Sequence, residues 1–137
     1  MNIIELLEIK KNNFKMIQSI AEQQESMVND DLMQDYLQSM AKRDRLKKEI
    51  DADSKKYKNI SEQADRRERE MARSMNREIA EVIESIMDID KRIEALIKEK
   101  KKDVLEEIKG LKKGRTAVKG YGQKKGQAQP RFIKTIG

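Results

Sequence analysis

Apolar residues in the first 109 positions of this chain recur every three or four residues, which is the spacing of one face of an α-helix. This region contains neither Gly nor Pro, the two residues that disfavour helix interiors most strongly. All six glycines and the single proline follow residue 109. The pattern predicts an all-α fold in which residues 1–112 form a helical bundle and residues 113–137 form a flexible, Gly-rich basic tail.

The first helix is predicted over about residues 2–27. Asn2 is a favourable N-cap, and Glu5, three residues later, completes the pattern of a capping box. The apolar residues of this helix follow alternating steps of four and three with two polar interruptions, and so lie on one face. They are Ile3, Leu7, Phe14, Ile17, Ala21 and Val28.

The second helix is predicted over about residues 32–57, after an Asn-Asp-Asp joint at 29–31. Asp31 followed by Gln34 repeats the capping-box pattern, so Asp31 is the predicted N-cap. A joint this short places the first two helices side by side as an antiparallel hairpin.

The third helix is predicted to be the longest, over about residues 60–111. Asn59 with Glu62 is a weak start signal, and a helix that runs on through residue 60 is the alternative. Gly110 or Gly114 is the expected end, because Gly is common just after a helix.

A heptad seam runs through the middle of the third helix, with steps of three and four that place its residues on one face. Its members are Ile79, Val82, Ile86, Ile89, Ile93 and Leu96. This seam could form the core, an oligomer interface or a groove for a partner helix. It is wider than a two-helix contact needs, and methionine is frequent on surfaces that accept varied apolar partners. The candidate partner-binding residues are therefore Met71, Met75, Ile79, Val82, Ile83, Ile86 and Met87.

Charge divides the chain unevenly. The formal net charge is +6, but residues 98–137 carry +9 and the rest carries −3. The simplest interpretation of the tail is a solvated segment. A second hypothesis is a partner-binding segment that uses Tyr121, Phe132 and Ile133. A third is nucleic-acid binding, through contacts of Lys and Arg with phosphates and stacking of aromatic rings on bases.

Composition argues against most catalytic chemistry. The chain has no Cys and no His, which removes disulfides, thiolate nucleophiles, imidazole bases and the usual zinc ligands. Charged residues make up 41% and aromatic residues 4%, too little apolar volume for a deep substrate cleft. We expect no enzyme, no catalytic residue, no cofactor and no metal site. No apolar run reaches the length of a membrane span and no signal-peptide pattern is present, so the expected compartment is the cytoplasm, without membrane insertion.

Several strings along the chain resemble a known family. Leu6-Leu7, Lys10-Lys11 and Arg43-Asp44-Arg45-Leu46 are similar to the first hairpin of flagellar export chaperones of the FliT and FlgN kind. The ending is similar to that of FliT-like proteins, through Lys113-Gly114-Arg115, Lys119-Gly120-Tyr121-Gly122 and Pro130-Arg131-Phe132. The resemblance extends over nearly the whole chain, and its tail strings are the most specific.

The resemblance implies a cytoplasmic antiparallel helical bundle that serves flagellar type III export. It would hold the amphipathic terminal helix of a filament-cap or hook-associated protein until export, with components of the export apparatus as further partners. A helix laid in an apolar groove is a common mode of recognition. The competing hypotheses are a structural coiled-coil protein, for example a homodimeric spacer, and a small nucleic-acid-binding protein that uses the basic tail.

Overall fold

Three helices form the part of the protein that the computed structural model describes, which is residues 1–117, with side chains described as far as residue 113. They are α1 (Ile3–Asn29), α2 (Met33–Glu62) and α3 (Arg66–Ala117). Together they take up 93% of these residues, and no strand occurs among them. The predicted all-α fold with one long helix is confirmed. Of the predicted tail at residues 113–137, residues 113–117 belong to α3, which corrects the predicted boundary. Residues 118–137, with Tyr121, Phe132 and Ile133, lie outside the described residues.

The start of α1 follows its predicted cap. The side-chain oxygen of Asn2 accepts a hydrogen bond from the backbone N–H of Glu5 at 2.9 Å. This bond satisfies one of the four N–H groups that a helix leaves without partners at its first turn. The N-cap prediction for Asn2 is confirmed.

The joint between α1 and α2 is built differently from the prediction. Asp31 has a φ of 60°, the left-handed conformation that commonly ends a helix. Its N–H donates to the carbonyl of Val28 at 3.3 Å, and the N–H of Leu32 donates to the carbonyl of Met27 at 2.8 Å. Both bonds belong to a Schellman motif, so Asp31 ends α1. The predicted capping of α2 by Asp31 is wrong: the N-cap is Leu32, which makes no side-chain cap bond.

The joint between α2 and α3 lies later than predicted. α2 continues past Asn59 to Glu62, so the predicted start of the third helix at Asn59 is wrong, and the alternative of a helix that runs on through residue 60 is confirmed. Asp65 provides the cap instead, and its carboxylate accepts a hydrogen bond from the N–H of Glu68 at 2.8 Å. The sequence carries a signal for this helix start, since Asp65 and Glu68 have the three-residue spacing of a capping box. Asn59 and Glu62 have the same spacing, which is why they were the predicted start.

α3 also ends later than predicted. It passes through both expected ends, Gly110 and Gly114, and reaches Ala117. A glycine costs a helix about 1 kcal/mol relative to alanine, which strong helix formers on either side can offset. A Cβ at Gly110 would meet no atom within 4 Å, so no close packing requires glycine there.

The chain divides into two compact units, Met1–Lys91 and Arg92–Gly137. In the first unit α1 and α3 run parallel. Lys11 forms an ion pair with Glu78, and Gln18 donates to the hydroxyl of Ser85 at 2.8 Å. From the first pair to the second, the residue number rises by seven on α1 and by seven on α3. The two helices therefore run in the same direction.

α2 runs antiparallel to α3 in the same unit. Arg43 pairs with Asp90, and the hydroxyl of Tyr57 lies 3.5 Å from the side-chain nitrogen of Asn76. Residue numbers rise by 14 on α2 while they fall by 14 on α3 between these pairs. Met1–Lys91 is therefore an up-down-up three-helix bundle whose first two helices form the predicted hairpin.

Two clusters of buried apolar side chains form the core of this bundle. The first contains Ile3, Leu7, Ala64, Ala72 and Ile79, and the second contains Ile17, Ile50 and Ile86. On α3 the buried positions 72, 79 and 86 recur every seven residues, which is the heptad spacing predicted for the seam. Each helix contributes one stripe, as an amphipathic helix in a small bundle should.

In the second unit, the described residues belong to α3 alone. Ile93 and Ile97 are buried, whereas Leu105 and Leu111 are exposed. The apolar pattern of α3 thus continues into this unit, and the burial of its side chains decreases towards residue 113.

A matched pair of substitutions tests this core. Leu7 is 0% exposed and Leu37 is 44% exposed, so Leu→Ala makes the same chemical change in two environments. Leu7→Ala should lower the free energy of unfolding by about 2–5 kcal/mol, because it leaves a cavity. Leu37→Ala should cost about 1 kcal/mol or less. Urea unfolding followed by circular dichroism measures both, and equal losses would contradict the assignment of Leu7 to the core.

Candidate partner-binding surfaces

Two of the seven predicted partner-binding residues are core residues. Ile79 packs with Ile3 and Leu7 in the first cluster, and Ile86 packs with Ile17 in the second. A partner could reach either side chain only by displacing α1 or α2. The free protein therefore does not present Ile79 or Ile86 as a surface, and this part of the predicted site is corrected.

Three further predicted residues are half-buried. Met75 and Ile83 pack against the first cluster, and Val82 packs against the second. These three residues lie at the borders of the apolar stripe of α3, whose centre is covered by α1 and α2.

The remaining two, Met71 and Met87, are well exposed, with 45% and 54% of their surfaces accessible. Met71 lies seven residues before Glu78, on the side of α3 that pairs with α1. Met87 lies eleven residues after Asn76, on the side that contacts α2. At 100° per residue they point about 160° apart around the helix axis. The α3 residues thus form two separate edges and not one groove, and partner binding by them stays a prediction.

A concave apolar surface lies instead on the hairpin of α1 and α2. We call it the hairpin groove, and its volume is about 450 Å³. We refer to its three apolar lining residues as the floor and to its four polar or charged lining residues as the rim. The floor residues are Met16, Ile20 and Leu46, and the rim residues are Ser19, Lys42, Arg45 and Glu49.

The hairpin groove lies on the side of the hairpin away from α3. Gln18 marks the side of α1 that contacts α3, through its bond to Ser85. Met16 and Ile20, each two residues from Gln18, are rotated by about 200° from it and so lie on the far side. The groove is consequently open while the bundle is intact.

This groove was not among the predicted surfaces, although the sequence carries a signal for it. Ile9, Met16, Ile20 and Met27 recur at steps of seven, four and seven, which forms a second apolar stripe on α1. The stripe of α1 that forms the core contains more apolar residues, so the prediction for α1 was based on that stripe alone. Only the position of α2 shows that the second stripe is left partly uncovered.

A layer of polar side chains connects all three helices of Met1–Lys91. The side-chain nitrogen of Gln24 donates to the hydroxyl of Ser39 at 3.0 Å, and that hydroxyl donates to the carbonyl of Tyr36 at 2.6 Å. Arg43 donates to the side-chain oxygen of Gln24 at 2.8 Å. Its two terminal nitrogens also donate to the two carboxylate oxygens of Asp90, at 2.8 and 2.9 Å.

The electrostatics of this polar layer keep its groups in the forms present at neutral pH. The hydrogen bond to Asp90 raises the pKa of Arg43, against the lowering effect of burial. Burial raises the pKa of Tyr36, with an opposing contribution from Arg43. A charged Arg and a neutral Tyr suit a structural role, because neither is poised to exchange a proton near pH 7.

Among the described residues no group of three His, Cys, Asp or Glu side chains is placed to hold a metal ion. No helix in this part of the chain has the length and apolar character needed to cross a membrane. Comparisons of the chain with protein-family models, with curated proteins and with solved structures find no match.

Alkaline pH should weaken the fold through Tyr36. Its raised pKa means that the folded state holds the hydroxyl proton more tightly than the unfolded state does. The resulting stability is fully present below the unfolded value of 10.0 and is lost as the pH rises through the folded value. The free energy of unfolding should fall more steeply above about pH 10 in the wild type than in Tyr36→Phe, which has no proton to lose. Urea titrations at several alkaline pH values measure this, and identical slopes would contradict it.

The pair of Arg43 and Asp90 should show coupling in a double-mutant cycle. Arg43→Ala removes both hydrogen bonds to Asp90, and Asp90→Ala leaves Arg43 with only its hydrogen bond to Gln24, so each should lower the free energy of unfolding by about 1–3 kcal/mol. The double mutant should cost less than the sum, with a coupling energy of about 1 kcal/mol, because both side chains keep some contact with water. Urea unfolding of the four proteins gives this value. A coupling energy near zero would show that the bidentate contact does not stabilise the bundle.

Proposed function

We propose that this chain is a cytoplasmic chaperone of flagellar type III export. Its client, the exported protein that it covers, would be a filament-cap or hook-associated protein with an amphipathic terminal helix. The observation that supports this proposal is the amount of apolar surface that the hairpin leaves uncovered. Ile9, Met16, Leu37 and Met40 are all more than one-third exposed, and Met16 borders the hairpin groove.

An uncovered apolar surface of this kind fits a binding function better than a purely structural one. Exposed apolar residues that line a groove, as Met16 does with Ile20 and Leu46, often mark interaction sites. Methionine suits such a site, because its unbranched side chain adapts to different partners. A chaperone that receives terminal helices of more than one exported protein needs this adaptability. The resemblance to FliT-like and FlgN-like chaperones supplies the identity of the clients, and components of the export apparatus are the further partners that it implies.

A homo-oligomeric coiled coil is the second candidate. Val104, Ile108 and Leu111 continue the spacing of four and three on α3, and Leu111 is exposed. A second copy of the chain could cover that stripe, as in a two-stranded coiled coil. Light scattering of the purified protein separates the candidates, since the chaperone is expected to present a free surface and the spacer is an obligate oligomer.

Co-purification and calorimetry with flagellar proteins test the chaperone function. The chain should form a complex with a filament-cap or hook-associated protein of its own bacterium, with a dissociation constant of about 1 µM or lower. Removal of the client's amphipathic terminal helix should abolish the complex, because that helix supplies the apolar anchors.

The control is the same titration with a globular client fragment that lacks both termini, which should not bind. A folded chain that binds none of the filament-cap and hook-associated proteins would contradict the chaperone function. A stable oligomer in the same preparation would then favour the structural coiled coil.

A further inference from the structure

We propose that the hairpin groove of α1 and α2 is the docking site for a partner helix, and that this helix carries acidic residues along one edge of its apolar stripe. The inference rests on the proposed function for the identity of the partner. It differs from the sequence-based prediction in its location, since it places the partner on the hairpin and not on α3.

Accessibility is the first argument. Met16 is 48% exposed, and Ile20 and Leu46 are half-buried, so the floor can be contacted without opening the bundle. The apolar centre of α3, by contrast, is covered by α1 and α2 in Met1–Lys91. A helix in the groove would therefore add a fourth helix and would not compete with the core.

Length is the second argument. The stripe on α1 from Ile9 to Met27 spans 18 residue steps, which is about 27 Å along the helix. This is about five turns, long enough to contact several anchors of an amphipathic helix spaced at i, i+3, i+4 and i+7. The residues of this stripe that line the groove, Met16 and Ile20, lie in its middle, where the central anchors would lie.

Charge identifies the partner. The α2 side of the groove carries Lys42 and Arg45, and neither forms an ion pair with another described side chain. The α1 side is uncharged and carries the exposed residues Asn12, Ser19 and Gln23, which recur at steps of seven and four. A partner helix in the groove thus meets positive charge along one edge and neutral polar groups along the other.

Glu49 is the exception on the α2 side, and it lies one turn beyond Arg45. A matching helix carries acidic residues opposite Lys42 and Arg45 and a basic residue opposite Glu49. This alternation would fix the direction of the partner, because a reversed helix brings like charges together.

The test uses a matched pair of substitutions in the full chain. Met16→Glu places a charge in the groove, and Leu105→Glu places the same charge on an apolar position of α3 outside every predicted binding surface, at similar exposure. Both variants should keep the wild-type circular dichroism spectrum and melt, since both side chains are largely exposed. Met16→Glu should weaken binding of the filament-cap or hook-associated protein by a factor of about 10 or more, and Leu105→Glu by less than about threefold.

Peptides test the charge rule without a flagellar client. Two labelled 18-residue helical peptides share a leucine stripe, and one edge carries Glu in the first and Lys in the second. Fluorescence anisotropy should show the Glu-edged peptide binding at least about tenfold more tightly at low salt. Lys42→Glu with Arg45→Glu should remove that preference, and added salt should reduce it.

The outcomes separate the two proposals. Client binding that Met16→Glu leaves unchanged overturns the groove and leaves the chaperone function standing. Failure to bind any flagellar client, together with Met16-dependent binding of the Glu-edged peptide, supports the groove and removes the chaperone function. Binding of neither overturns both. A dimer that Met16→Glu dissociates would show that a second copy occupies the groove, and that result also overturns the proposal.

Discussion

The packing of one apolar stripe of α3 against α1 and α2 is the interaction on which the bundle in Met1–Lys91 depends. Ile79 and Ile86 lie one heptad apart on this stripe and are covered by Leu7 and Ile17 of α1 and by Ile50 of α2. Aromatic residues make up only 4% of the chain, so aliphatic side chains must supply most of the burial. A small core of this kind stabilises weakly per residue, and the loss of one large side chain is therefore costly.

Apolar packing alone would allow the helices to slide by a heptad, and the polar layer opposes this. Arg43 contacts Gln24 of α1 and Asp90 of α3 with hydrogen bonds that a shift of one turn would break. A broken contact would leave a charged or amide group partly buried without a partner, which is more costly than the contact is favourable. We interpret this layer as the feature that sets the register between the hairpin and α3.

The three-helix arrangement also explains why some apolar surface stays exposed on the hairpin. Two antiparallel helices that share a core with a third on one side leave a shallow channel on the other side. In this chain the channel has an apolar floor at Met16, Ile20 and Leu46, where a purely structural bundle would place polar residues. If a partner helix binds there, the exposed apolar area would contribute to its affinity and the cationic edge at Lys42 and Arg45 to its selectivity.

The sequence determined the helices because their signals are local. The absence of Gly and Pro before residue 110, the periodicity of the apolar residues and the cap at Asn2 all act within a few residues of the chain. The joints were harder, because Asp31 suits either a helix start or the left-handed residue that ends one. Which role it takes depends on how the preceding turn closes, through the bonds to Val28 and Met27.

Only the tertiary structure decided which apolar residues are core and which are surface. The heptad on α3 specified a stripe of the right width, but an identical pattern serves a core, an oligomer or a groove. The placement of α1 and α2 buries Ile79 and Ile86 and leaves Met16, Met71 and Met87 exposed. A side chain's exposure depends on residues that are distant in the chain, such as Arg43 and Asp90, which are 47 positions apart. Periodicity describes one helix at a time, so it cannot report which neighbour covers which face.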